Sequence, residues 1–143
     1  MAYTFDLYFR EHYLPVIKET MEDYLNTHLT IPFYQILNKY LAKKHLLKRE
    51  ISGLSGIDRR TIYKIYHQKD FVPTKRMVIC LGLGMRLDIH DFEAFMHEAG
   101  YHFSSHQKRD VVIMYCLKEG IYALTDIDLY LDRVGEKPLI GLK

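Results

Sequence analysis

KREISGLSGIDRRTIYKIYHQ, residues 48–68, is the stretch on which the fold turns. Ile51, Ile57, Ile62 and Ile65 recur at the spacing of two short helices that share one apolar contact. Ser52 and Ser55 are small where two helices crossing at a steep angle must approach, and Gly56 supplies the positive φ of a tight turn between them. Asp58 follows as an N-cap, its carboxylate free to accept the first N–H groups of the second helix. That helix then presents Arg59, Arg60, Tyr63, Lys64 and His67 outward, with Lys48 and Arg49 at the head of the first.

The rest of the chain has the same helical period. Apolar residues recur every three or four positions, and no β-branched run alternates as a strand would. Pro15 opens a first helix to about His28, with Ile17, Met21, Tyr24 and Leu25 on one stripe, and Thr30-Ile31-Pro32 interrupts it. A helix from Pro32 places Phe33, Ile36, Leu37, Tyr40 and Leu41 inward. After residue 68, helices are expected from about Thr74 to Met85, Ile89 to Ala99 behind the cap Asp88, and His106 to Gly120. The last starts at the cap Thr125, with Asp128 three residues on, and stops at Gly135. The division expected is an N-terminal helical extension over 1–31, a central domain over 32–99 and a C-terminal helical extension over 100–143, all-α throughout.

A formal net charge of +2 hides an uneven distribution. Residues 39–76 carry eleven Lys/Arg against Glu50, Asp58 and Asp70, a local excess of eight positive charges, whereas each flank has an excess of three negative ones. Charge concentrated in this way raises the local potential and favours an anionic partner. Arginine forks fit a guanine edge or a phosphate, and lysine and tyrosine reach backbone oxygens. Lys75 and Arg76, after Pro73, extend the same basic set.

The run from Ser52 to Asp58, small-x-x-small-Gly-apolar-Asp, followed by Ile62 and Ile65, resembles the lambda-repressor-like helix-turn-helix proteins of the Cro/repressor or XRE type, over about residues 32–99. The resemblance implies a five-helix domain that binds double-stranded DNA and regulates transcription. It lays the helix from Asp58 to about Gln68 in the major groove and sets the helix from Lys48 across the phosphate backbone. The site it implies comprises Lys48, Arg49, Asp58, Arg59, Arg60, Tyr63, Lys64, His67, Lys75 and Arg76. The chain departs from the family at Lys48, where glutamine is common, and at Tyr63, where a small polar residue is common. A rival reading keeps the fold and changes the partner: an adaptor or inhibitor, phage-derived or defence-related, whose basic face meets a protein or RNA.

Other chemistry finds little support. His90, Glu93 and His97 share a helical face, with His102 and His106 nearby, but the two-histidine-plus-glutamate arrangement of a zinc hydrolase is missing. Gly82 and Gly84 lie in an apolar helix with no lysine-serine or lysine-threonine pair behind them, so no phosphate loop is expected. Cys80 and Cys116 fall inside apolar patterns and read as buried thiols. The chain is therefore read as a binding protein, not an enzyme, without metal or cofactor. No segment approaches a membrane span and no basic leader precedes the first helix, so a cytoplasmic location is expected. Because one reading helix covers only a few base pairs, a homodimer is expected, with the helix from Leu14 to His28 as its first candidate seam and the tail from Ser104 to Val134 as its second.

Overall fold

α1, Met21–His28, opens behind Thr20, whose hydroxyl accepts the Asp23 N–H at 3.1 Å, and Glu22 and Asp23 stand in its first turn, where carboxylates offset the helix dipole. The structure, a computed structural model, describes residues 18–29 and 31–140. Pro15, Ile17 and the start of the expected first helix lie outside the described residues. The chain divides into two units, Met1–Thr30 and Ile31–Lys143. In the first, Tyr24 and His28 stack at 3.7 Å and no α1 residue is buried.

The second unit is helical among its described residues. α2 runs Phe33–Lys43, a 3-10 turn covers Lys48–Glu50, and α3 (Ile51–Ser55) and α4 (Arg59–His67) follow. Then come α5 (Lys75–Gly84), α6 (Ile89–Glu98), α7 (Lys108–Lys118) and α8 (Leu124–Arg133). α2 buries Phe33, Ile36, Leu37, Tyr40 and Leu41, as its periodicity requires. α5 is the central helix: Val78 to Leu83 are all buried, the pattern of a helix covered on every side.

Two glycines allow that coverage. A Cβ on Gly84 would lie 2.9 Å from the backbone of Leu54 and Ser55, so α5 packs directly on the α3 main chain. A Cβ on Gly82 would lie 2.7 Å from the Phe92 ring, so α6 presses its largest side chain into the same helix. This close approach is the physical role of the glycines that spacing alone left without one.

The C-terminal segment shares the core of the central one. Ile113, Cys116, Leu117, Ile127, Leu131 and Leu139 are buried in the cluster that holds Phe92, Phe95 and Met96. Cys80 and Cys116 are both free and buried, and burial raises both thiol pKa values. The start of α8 differs from the expectation. The helix begins at Leu124 behind Ala123 with no side-chain cap, so Thr125 lies inside its first turn. Asp128 is engaged elsewhere, accepting the Leu139 N–H at 2.6 Å, because the aperiodic tail turns back and inserts Leu139 into the core.

No helix among the described residues is long and apolar enough to cross a membrane.

Candidate nucleic-acid interface

The turn between α3 and α4 is built as its residue types demand. Gly56 has φ +73°, the Ser52 hydroxyl donates to the Ile57 carbonyl at 2.7 Å, and the Ile57 N–H donates to Ser55 Oγ at 3.2 Å. The two serines thus satisfy backbone groups that a turn leaves without ladder partners. Ile51, Ile57, Ile62 and Ile65 are all buried, which fixes the two helices on each other and on the core.

Before α3 the chain enters through the 3-10 turn, not through an α-helix starting at Lys48. Glu50 explains the tightening: its carboxylate accepts the Leu47 N–H at 2.9 Å while its own N–H donates to the Leu47 carbonyl at 3.0 Å. Lys48 and Arg49 are therefore displayed on a short turn. Lys48 Nζ rests 3.9 Å from the centre of the Tyr66 ring, a cation–π contact, and the Tyr66 hydroxyl donates to Asn38 Oδ1 at 2.7 Å. Burial pushes the Tyr66 phenol up to about 12.

Asp58 caps α4, accepting the Thr61 N–H at 2.7 Å, and that bond holds its carboxyl below the usual range. Its role is thus in helix construction. Beyond it, Arg60, Tyr63, Lys64 and His67 fall at i, i+3, i+4 and i+7 and are all exposed, opposite buried Ile62 and Ile65. Tyr63 stacks on His67 at 3.9 Å, so two polar-edged rings stand side by side on the outer face. Arg59, Tyr63 and His67 form one wall of an open groove of about 860 Å³, and Leu47, Lys48, Arg49 and Ser52 line it too, over Ile62. Leu47 carried no signal in the sequence beyond being an exposed leucine ahead of a helix.

The ion pairs concentrate the positive potential further. Lys39 pairs with Glu98 at 2.7 Å and Lys43 with Asp91 at 2.7 Å, so these two lysines tie α2 to α6. Lys75 and Arg76 are also engaged by the fold, Lys75 half-buried and Arg76 exposed. Lys75 Nζ meets the buried carboxylate of Asp110, and Arg76 donates through Nε to the Leu139 carbonyl. Their positions are set by α7 and the returning tail, elements that the basic run itself does not include. Lys48, Arg49, Arg59, Arg60 and Lys64 form no carboxylate pair among the described residues, and these five remain at the α3–α4 end.

The histidine-containing face of α6 is a different place. Glu93, His97 and His102 border a groove of about 390 Å³, and among the described residues no three His, Cys, Asp or Glu side chains are grouped to hold a metal. No protein-family model matches the chain, and no curated protein or solved structure matches it.

Proposed function

We propose that this protein binds double-stranded DNA through a helix-turn-helix formed by α3, the Gly56–Asp58 turn and α4, and acts in transcriptional regulation. One observation carries the reading: α4 projects Arg60, Tyr63, Lys64 and His67 from one exposed face, while Lys48, Arg49 and Arg59 flank it and form no carboxylate pair among the described residues. An α-helix with its side chains is about 10–12 Å across, which suits a major groove about 12 Å wide. The run of five consecutive helices α2–α6 supports reading them as a lambda-repressor-like domain.

In that docking α4 enters the major groove. Arg60 and Lys64 meet base edges, and Tyr63 offers a ring to apolar edges such as a thymine methyl. Lys48, Arg49 and Arg59 meet phosphates on either side. Lys75 and Arg76, held by Asp110 and the Leu139 carbonyl, are left out of this docking.

The apolar floor of the groove, Ile62 and Leu47, together with the exposed Tyr63–His67 stack, also favours a second reading, in which the same face binds RNA or a protein. Titrating the full chain into labelled random-sequence duplex and labelled single-stranded RNA over a range of salt separates the two. The first reading expects tighter duplex binding whose affinity falls steeply with salt. Preference for RNA, or no nucleic-acid binding, would favour the second.

A further inference from the structure

α7 is apolar on two faces. Ile113, Cys116 and Leu117 point into the core, while Val111, Met114 and Tyr115 stand exposed at i, i+3 and i+4 on the outer side, with Val111 45% and Tyr115 47% accessible. An exposed apolar stripe of this kind, rimmed by Lys108 and Lys118, has the character of a contact surface. The outer stripe is itself one wall of a groove of about 670 Å³ that Ile89, Leu117 and Tyr122 also line, and a second groove of about 390 Å³ shares Glu93 and Met114 with it. The stripe is thus a ridge with a matching cleft alongside. It is also held in place: Tyr115 packs edge-on against Tyr130 at 5.7 Å, and Arg133 lies over the Tyr130 ring at 5.3 Å.

The charges around the apolar floor divide by wall. Asp88 and Glu93 stand on the α6 side, and Lys118 ends the stripe on α7. Among the described residues neither Glu93 nor Lys118 has an ion-pair partner. A two-fold interface must be complementary to itself, since each contact made by one copy is repeated by the other. A ridge beside a cleft, with acid on one wall and a base at the far end, meets that condition. An acidic or a basic partner would leave one of the two walls facing like charge.

We infer that this face binds a second copy of the chain: the Val111–Met114–Tyr115 ridge of each protomer seats in the α6–α7 groove of the other, and Lys118 meets Glu93 of the second copy. This assigns the seam to α7 in place of the N-terminal helix. It does not rest on the DNA reading, since α4 and its cations take no part in the ridge or the cleft.

Sedimentation equilibrium of the full chain tests it. The wild type is expected to dimerise at micromolar concentration, and Met114→Asp to raise the dimer Kd by about 30-fold or more, as for a central apolar anchor. Circular dichroism melts of each variant show whether it is folded. Lys118→Glu and Glu93→Lys should each weaken the dimer, and the double swap should restore it, a rescue that a merely destabilised fold would not give. A wild-type monomer, or a dimer indifferent to Met114→Asp and to the charge swaps, would overturn the assignment. DNA binding read on Arg60 and Lys64 variants stands or falls separately.

Discussion

Lys75 Nζ lies 2.5 Å from Asp110 Oδ2, an ion pair that joins the first turn of α5 to the first turn of α7 across thirty-five residues of sequence. Asp110 is buried and also accepts the Ser104 N–H at 2.8 Å, so its carboxylate has been removed from water and given two donors. Asp110→Ala should cost about 3 kcal/mol in chemical denaturation, the lower end for breaking a buried pair because Lys75 keeps partial access to solvent. Lys75→Ala should lower stability too, yet leave the salt dependence of DNA binding unchanged. A salt slope reduced by about one unit would instead place Lys75 on a phosphate.

Arg60 and Lys64 should behave differently from Lys48. Arg60→Ala or Lys64→Ala is expected to weaken a specific duplex by about 1–3 kcal/mol while nonspecific binding changes less. Lys48→Ala should weaken all sequences alike and flatten the salt slope by about one unit. Fluorescence anisotropy with a specific and a scrambled duplex reads both effects.

Gly84 fixes how closely α5 approaches α3. Its Cβ in Gly84→Ala would meet the Leu54 and Ser55 backbone at 2.9 Å, and main chain cannot turn aside as a side chain can. The variant should lose about 1–3 kcal/mol in urea denaturation, the usual cost of overpacking, despite alanine's better helix propensity. Unchanged or increased stability would show that the two helices can separate without cost.

Much of this architecture was legible in local chemistry. Gly56, Asp58 and the four isoleucines each constrain their own neighbourhood, and the inward set of α2 follows from a single period. Asp128 shows where that legibility stops. Its position near the start of α8 has the spacing of a capping residue, but its carboxylate is taken by the Leu139 N–H, from a tail with no period of its own. Lys75 and Arg76 also have partners that the sequence does not show. A run of basic residues records charge but not which carboxylate or carbonyl a distant helix brings alongside. Gly82 and Gly84 likewise carry no local sign of the ring and the backbone that lie against them.

Two phenols report the core at high pH. Tyr40, desolvated and donating to Glu98 Oε1 at 3.0 Å, and Tyr66, desolvated beneath Lys48, are both pushed up to about 12. An acid whose folded pKa is raised contributes stability that is complete below the unfolded value of about 10 and lost as pH rises toward the folded one. Stability should therefore decline between about pH 10 and 12, and Tyr40→Phe should reduce that decline. A flat profile in that window, or one unaffected by the substitution, would contradict the desolvation of these rings.

The account rests on α4 as the face that reads duplex DNA, and sequencing what the protein retains from a random duplex pool tests that most directly. Wild-type protein is expected to enrich a defined motif, and the Arg60→Ala/Lys64→Ala variant, shown to be folded by its thermal melt, to lose it. No enriched motif from the wild type, or the same motif from both proteins, would contradict the account.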